Sequence, residues 1–263
     1  PGTSLVGGWV TGPESPNDTI GRFAITGTDL GIMWDNGDPG NRQVLMAFGD
    51  TYGYCGVRGQ QWRYNTLFRT QDGALSKTVA VPDGTVGNRY SGSPLWAPGG
   101  LSKQIINTTK WAPTEKGIIP TAGIAVGGNQ YINFMSIKSW DSDGRWTTNY
   151  SAIAVSPDNG EHWGRVSRKR AHSGQRQHRG RPAHPWQPEL PAGRVSQARS
   201  RRPYLYSFGT PAGRGGAATS RGCLRTGSPT PVVTSTGTPT ATPGCHGIPV
   251  PPRSSYRGGR SER

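Results

Sequence analysis

The sequence predicts an all-β protein that is followed by a disordered, basic C-terminal part. Over residues 1–164, short runs rich in β-branched and aromatic residues alternate with turns rich in Gly, Asn, Asp and Pro. No segment longer than about ten residues keeps the apolar period of a helix. After residue 164 the alternation stops, and Arg, Pro, Gly, Ser and Thr dominate the chain.

The predicted strands are separated by turn signals, of which Asn-Gly-Asp-Pro-Gly at residues 36–40 is the clearest. Regular short strands of this kind favour a sandwich, a barrel or a propeller. The strands are predicted at residues 22–26, 31–34, 43–48, 65–69, 103–108, 117–126, 130–139 and 151–155.

One motif favours the propeller. The sequence Ser-Pro-Asp-Asn-Gly-Glu-His-Trp at residues 156–163 fits S-x-D-x-G-x-x-W, the Asp-box pattern of β-propellers, many of which act on carbohydrate. In such a hairpin Asp158 caps backbone N–H groups, Gly160 adopts a conformation that other residues resist, and Trp163 packs beneath the sheet. An ordinary Asn-Gly hairpin is the alternative, and either interpretation makes the motif structural rather than catalytic.

Charge is divided unevenly along the chain. Residues 1–164 hold 12 basic and 13 acidic residues, whereas residues 165–263 hold 18 basic and 2 acidic ones, so the formal charge of +15 belongs to the second part. The part with the motifs therefore lacks the basic excess of a nucleic-acid-binding protein. A basic arm that binds nucleic acid is the alternative. Trp186 is the one aromatic residue among the arginines of residues 165–202, which counts against it, and we expect no nucleic-acid partner.

The sequence shows no signal for a metal, a cofactor or a membrane span. Its three cysteines, Cys55, Cys223 and Cys245, form no disulfide framework and have no zinc-site spacing. No stretch approaches the ~20 apolar residues of a membrane-spanning helix. Because the chain starts at Pro1, without Met or a signal peptide, we expect a processed or truncated product.

The composition break at residue 164 favours a change of reading frame. Synonymous codons for residues 165–171, read one base later, can encode V-Y-P-G-S-V, and a shift in the opposite direction after residue 218 also gives β-like strings. We therefore interpret residues 165–203 and 218–263 as out-of-frame, disordered segments around an in-frame strand remnant at residues 204–217. A disordered basic linker and tail is the alternative.

Several motifs of the chain resemble one protein family. They include G-W-V-T-G-P at residues 8–13, R-F-A-I-T-G-T-D-L-G-I-M-W-D-N-G at 22–37, V-L-M-A-F-G-D-T-Y-G at 44–53, W-R-Y-N-T-L-F-R at 62–69 and Y-L-Y-S-F-G-T-P-A-G-R-G-G at 204–216. The sequence resembles the actinobacterial family named domain of unknown function 4185, whose characterised members are endo-D-arabinanases of glycoside hydrolase family 183.

The resemblance implies a five-bladed β-propeller with its site at the axial mouth. It further implies a secreted or cell-wall-associated glycoside hydrolase whose polysaccharide partner is the D-arabinan of arabinogalactan or lipoarabinomannan. Residues 165–203 and 218–263 stand where the family continues with further strands, so we expect residues 1–164 to be the first part of an incomplete propeller. A propeller that lacks blades leaves sheet edges uncovered, and we expect this 263-residue chain to be inactive.

Glycosidic cleavage without a cofactor usually needs two carboxyl groups with different pKa values. Asp29, ahead of an apolar strand, and Asp50, at the end of V-L-M-A-F-G, are the best candidates. We expect Asp29 to act as general base or nucleophile and Asp50 as the partner carboxyl group. Asp35 is a third candidate, as a pKa modulator or turn cap. Turn capping is the alternative for all three, and Glu115 is assigned to an exposed turn.

Aromatic side chains commonly stack on sugar rings, whose faces are partly apolar. The expected substrate-binding residues lie near the carboxylates in the sequence and are Trp34, Tyr52, Trp62, Arg63, Tyr64 and Asn65. Packing in the core is the alternative for each aromatic residue, and an ion pair with Asp29 or Asp50 is the alternative for Arg63. A carbohydrate-binding propeller without catalytic activity is the alternative function, and it would need no carboxylate pair.

Overall fold

The structure, a computed structural model, describes residues 8–53, 62–73, 79–142, 144–165, 186–187, 204–212 and 219–225. In these ranges the chain forms antiparallel sheets and one helix of five residues. The predicted all-β class is therefore confirmed for the described part of the chain.

Three chain segments build two adjoining sheets in the first part of the chain. Their strands are β1 (Gly27–Thr28), β2 (Gly31–Asp35), β3 (Val44–Phe48), β4 (Thr51–Tyr52), β5 (Trp62–Arg63) and β6 (Thr66–Thr70). The small sheet has the strand order β1-β4-β5 and the larger sheet has the order β2-β3-β6. Each strand of the small sheet is adjacent in the chain to the strand at the same position of the larger one, so the small sheet continues the larger sheet. Asp29 and Asp50 lie at the interruption between the two sheets.

Four further strands form an antiparallel meander with the order β7-β8-β9-β10. They are β7 (Gly117–Val126), β8 (Asn129–Trp140), β9 (Trp146–Ser156) and β10 (Gly164–Arg165). The β7–β8 hairpin turns at Gly127 and Gly128, whose φ angles of 59° and 81° favour glycine. β9 begins five residues before the predicted strand at 151–155, because its register continues across from Trp140 to Trp146.

The third sheet consists of β11 (Trp186–Gln187), β12 (Tyr204–Pro211) and β13 (Thr219–Arg225). β12 lies in the predicted strand remnant, whereas β11 and β13 lie in segments for which disorder is predicted. Both pair with β12, whose two edges present backbone groups that an extended neighbour can bind irrespective of its side chains. Apart from Arg165, which ends β10, the remainder of residues 165–203 and 218–263 lies outside the described residues.

A short helix takes up the first two residues of the strand predicted at residues 22–26, and residues 24–26 belong to neither a helix nor a strand. This helix, α1 (Thr19–Phe23), is capped by Asp18, whose Oδ1 accepts a hydrogen bond from Gly21 N at 3.2 Å. The cap fixes one helical turn ahead of the β-branched residues, so the propensity of those residues for strand does not decide the local structure.

Residues 103–108, also predicted as a strand, form no ladder in the structure. They lie against Asn65, whose Oδ1 accepts hydrogen bonds from Ile105 N at 3.1 Å and Ile106 N at 2.8 Å. The Asn65 side chain thus binds backbone N–H groups that would otherwise pair with a neighbouring strand.

The main apolar core lies between the sheets β2-β3-β6 and β7–β10, which pack through their first strands. A Cβ atom added at Gly123 would lie 2.2 Å from the Trp34 ring, and one added at Gly37 would lie 3.0 Å from the Ala125 side chain. Because Trp34 and Gly37 meet Gly123 and Ala125 in the same order, β2 and β7 lie side by side and run in the same direction.

The Asp box forms the predicted hairpin. Asp158 Oδ1 accepts a hydrogen bond from His162 N at 2.9 Å, and Trp163 Nε1 donates to Gly160 O at 2.9 Å. Gly160 has a φ of 84°, and a Cβ atom there would lie 2.5 Å from Leu67. The structural role predicted for the motif is confirmed.

Glu161 of the same hairpin ties the meander to the first sheet through buried charges. Its carboxylate pairs with Arg69 Nη2 at 3.0 Å and with Lys103 Nζ at 3.0 Å. The Arg69 and Glu161 side chains are 0% and 2% exposed. Arg69 also donates to the backbone oxygens of Ser91 and Asn159, each at 2.9 Å.

An amide network crosses between the same two sheets at the end of β2 that lies away from Asp29. Asn36 Nδ2 donates to Asn159 Oδ1 at 3.2 Å, and Asn159 Nδ2 donates to Gln43 Oε1 at 2.7 Å. Gln130 donates to Asn36 O at 2.8 Å and accepts a hydrogen bond from Trp34 Nε1 at 2.8 Å. All four amide side chains are buried.

Candidate active site

The structure brings Asp29 and Asp50 together. Asp29 N donates a hydrogen bond to Asp50 O at 2.9 Å, and Gly49 N donates one to Asp29 O at 2.8 Å. These two bonds hold the backbone at Asp29 directly beside the backbone at residues 49 and 50. A Cβ atom at Gly49 would lie 3.2 Å from Asp29 O and 3.3 Å from Ile119, which places the start of β7 beside the pair. The carboxyl groups therefore lie where the first strands of the two large sheets begin.

The two carboxyl groups have different surroundings. Asp29 is exposed, and its Oδ1 accepts a hydrogen bond from Leu30 N at 2.7 Å. Asp50 is partly buried, and its Oδ1 finds no hydrogen-bond partner among the described residues. Burial, together with the negative charge of Asp29, raises the pKa of Asp50 from 3.8 to about 6. Asp50 therefore keeps its proton to a higher pH than an ordinary aspartate does, and it lies beside a second, exposed carboxyl group.

Asp35 does not belong to this pair. It ends β2, six residues beyond Asp29, and six residues of extended strand span about 20 Å. Its Oδ1 accepts a hydrogen bond from Gly37 N at 2.7 Å. Asp35 therefore caps a turn at the far end of the strand, and the role of pKa modulator is corrected on grounds of distance.

Two of the predicted aromatic residues lie exposed beside the pair. Tyr52 and Trp62 are direct partners in the register of β4 and β5, and their side chains are 56% and 36% exposed. The Trp62 ring meets the Tyr64 ring edge to face, with centroids 4.9 Å apart. Because Asp50 precedes Tyr52 by two residues, these rings form a platform next to the carboxyl groups.

The side chains of three other predicted substrate-binding residues are buried and contact other parts of the chain. Trp34 is 7% exposed and belongs to the core. Arg63 is fully buried, and its guanidinium donates to the backbone oxygens of Ala24 and Ser102. Burial lowers the pKa of Arg63 to about 10. Asn65 is also fully buried and bonded to backbone groups on both sides, so we place these three residues in the scaffold of the site.

The sequence assigns Glu115 to an exposed turn, but in the structure its carboxylate is surrounded by hydrogen-bond donors. Its carboxylate accepts hydrogen bonds from Thr109 N at 2.9 Å, Lys110 N at 3.1 Å and Ser136 Oγ at 2.9 Å, and also from Thr108 Oγ1 and Tyr150 Oη. Burial alone would raise the pKa of this carboxyl group, but the hydrogen bonds, that from Thr108 first, lower it to about 2. Glu115 is therefore a fixed anion.

Glu115 and Tyr150 do not form a nucleophilic pair. Some glycosidases attack with tyrosine, which then needs a lowered pKa. Burial and the hydrogen bond to Glu115 instead raise the pKa of Tyr150 to about 12. The pair organises the loop before β7, and Glu115 precedes β7 by two residues just as Asp29 precedes β2.

The described part of the chain also has a surface pocket, which lies away from the Asp29–Asp50 pair. An open, polar pocket of about 410 Å³ lies at the opposite end of β2, where Asn36 and Gln130 of the amide network line it. Across the ranges described above, no group of His, Cys, Asp and Glu side chains is arranged to hold a metal ion. Nor does any helix in those ranges have the length and apolarity to cross a membrane.

Comparison with known proteins identifies one family. The family described as "Domain of unknown function (DUF4185)" matches residues 14–221. No curated protein sequence matches the chain. A crystal structure of a candidate hydrolase from Bacteroides ovatus aligns over 73% of this chain and 47% of that one, with 10% identity and a TM-score of 0.39. The chain spans about half the length of that protein, and a TM-score this low does not establish a shared fold.

Proposed function

The chain belongs to the domain of unknown function 4185 family, and we propose that the intact form of this protein is a glycoside hydrolase that cleaves D-arabinan. The observation that carries the proposal is the Asp29–Asp50 pair, in which burial and the charge of Asp29 raise the pKa of Asp50 to about 6. Two adjacent carboxyl groups, one of them with a raised pKa, suit acid–base cleavage of a glycosidic bond.

In the proposed reaction Asp50 is the general acid. It donates its proton to the glycosidic oxygen as the bond from that oxygen to the anomeric carbon breaks. Asp29 then has two possible roles, which the product distinguishes. If Asp29 is the nucleophile, the first product keeps the anomeric configuration of the substrate, and if it is the base that activates water, the configuration is inverted.

A five-bladed propeller is the architecture that we propose for the intact protein. Two neighbouring antiparallel sheets that pack through parallel first strands, as β2 and β7 do, are what consecutive blades around an axis require. Both strands begin at the end where Asp29, Asp50 and Glu115 lie. This end would be the mouth of the propeller.

The proposed substrate class is suggested by the family resemblance of residues 22–37 and 44–53, which include Asp29 and Asp50. The exposed rings of Tyr52 and Trp62 suit stacking on furanose rings, which carry no charge. We accordingly propose that the polysaccharide is D-arabinan of the cell envelope and that the intact enzyme works secreted or attached to the cell wall.

We further propose that residues 165–203 and 218–263 are read out of frame and that the 263-residue chain is inactive. The excess of basic residues begins directly after the Asp box, where further blades are needed to close a ring. Sequencing the gene across codons 160–263 tests the frame. A single base gained or lost near codons 165, 203 and 218 is the expected result, and an unbroken frame would contradict it.

The activity is tested on D-arabinan with the 263-residue chain and with its frame-restored form. We expect new reducing ends from the frame-restored form alone. Asp29→Asn and Asp50→Asn should each lower turnover by about 10²-fold or more. Asp35→Asn is the matched control, because it removes an aspartate carboxylate at the far end of β2, away from the pair. Arabinan binding without turnover in the frame-restored form would favour a non-catalytic binding protein.

A further inference from the structure

The loop that precedes β7 presents a second aromatic platform. The Trp111 ring lies against the Tyr150 ring, with centroids 5.3 Å apart and planes tilted by 49°. Trp111 is 37% exposed, whereas Trp34 in the core is 7% exposed, so a broad indole surface remains accessible. We propose that Trp111, seated on Tyr150, is an additional sugar-binding subsite and that Glu115 is the residue that positions it. This inference rests on the proposed glycosidase function.

The second platform is linked to the first one through Glu115. Tyr64 Oη donates to Glu115 O at 3.1 Å, and the Tyr64 ring meets the Trp62 ring, which pairs across the strands with Tyr52. Tyr52, Trp62 and Tyr64 are thus linked to the loop of Trp111 through Glu115, and we call these four aromatic residues the aromatic row. It starts beside the carboxyl pair and extends to the second large sheet. A row of several rings suits several consecutive sugar residues, which points to a polymer rather than a single sugar.

The backbone of the loop is fixed by one carboxylate. Glu115 accepts hydrogen bonds from Thr109 N and from Lys110 N, and Lys110 has a left-handed φ of 57° that costs energy for a residue with a side chain. The next backbone N–H, that of Trp111, donates to Thr109 Oγ1 at 3.0 Å.

These contacts hold Trp111 in place before any ligand arrives. The hydroxyl of Tyr150 donates to the same carboxylate at 2.5 Å, so the ring beneath the indole is fixed as well. A platform that is already ordered loses less conformational entropy on binding, which favours affinity. The structure thus assigns Glu115 a positioning role and Trp111 the contact with sugar.

The test is the binding of soluble D-arabinan to the 263-residue chain and to the frame-restored form, measured by isothermal titration calorimetry. We expect Trp111→Ala to weaken binding roughly three- to tenfold, and Trp111→Phe to recover most of the loss. Tyr90→Ala is the control, since Tyr90 is a partly exposed aromatic residue at the opposite end of β2. If Trp111→Ala binds within twofold of the wild type, or if neither form binds arabinan, the subsite is refuted.

Turnover by the frame-restored form separates this inference from the proposed function. For Trp111→Ala we expect a higher KM on the polymer, a kcat within twofold of the wild type, and unchanged cleavage of a short aryl arabinoside. Glu115→Gln should change KM in the same direction. Loss of cleavage of the short substrate in these variants would refute a role confined to binding. Absence of turnover in the wild type, with binding that still depends on Trp111, would refute the glycosidase function alone.

Discussion

Removing the charge of Glu161 should strongly destabilise the protein. Glu161→Gln leaves Arg69, whose side chain is 0% exposed, without a counter-ion in the core. Breaking a buried ion pair on one side costs about 3–5 kcal/mol. We expect about 3 kcal/mol here, because the amide oxygen can still accept a hydrogen bond and Arg69 keeps its bonds to Ser91 O and Asn159 O.

Urea unfolding followed by tryptophan fluorescence measures this loss. With a slope of about 2 kcal/mol per molar urea, the midpoint should fall by about 1.5 M at an unchanged slope. Asp83→Asn is the matched control, because Asp83 pairs with Arg22 at 2.7 Å but is 85% exposed. Exposed pairs contribute less than about 1 kcal/mol. Equal effects of the two variants would show that burial does not determine the strength of the Glu161 pair.

Three further perturbations test other contacts. Asp50→Asn should raise the free energy of unfolding at pH 7 by about 1–2 kcal/mol, discounted for partial exposure, because burial and the charge of Asp29 raise the pKa of Asp50 from 3.8 to about 6. Since the native carboxyl group resists ionisation, this gain should disappear below pH 4, and equal stabilities at pH 7 by urea unfolding would contradict it. Glu115→Gln should instead lower the free energy of unfolding. Burial would raise the pKa of Glu115, but the hydrogen bonds lower it from 4.5 to about 2. The charged carboxylate therefore stabilises the folded state above pH 4.5, and this stabilisation is lost as the pH falls towards 2. The Tm of this variant should therefore lie below that of the wild type at pH 7 and approach it at pH 2, and a constant difference would refute the assignment. Gly123→Ala should cost about 1–3 kcal/mol, because the new Cβ atom would lie 2.2 Å from the Trp34 ring, whereas Gly117→Ala, at 3.6 Å from Ile137, should change stability by less than about 0.5 kcal/mol in the same urea assay.

The carboxyl pair was accessible to sequence reasoning because its placement is local. Asp29 and Asp50 each stand next to an apolar strand, and antiparallel pairing of those strands is enough to bring the two residues together. The Asp box was equally accessible, since its hydrogen bonds run between residues of one hairpin.

Glu115 was not accessible because its partners are distant in the sequence. Ser136 and Tyr150 follow it by 21 and 35 residues and reach it only when β8 and β9 fold against β7. The same reason explains the burial of Arg63: the Ala24 and Ser102 oxygens that surround its guanidinium belong to other segments. Composition shows which side chains can bind sugar, but tertiary packing decides which of them remain exposed.

The amide network between the sheets has a consequence for chemical ageing. Asn36 and Asn159 are each followed by glycine, the neighbour that least hinders attack of the backbone nitrogen on the side-chain carbonyl and hence deamidation. In the folded protein both amides are buried and held by hydrogen bonds, which keeps them from the geometry of that attack. Each transient unfolding removes this protection and risks placing a carboxylate where a neutral amide must pack. We therefore expect the deamidation rate of these two amides to follow the fraction of molecules that are unfolded.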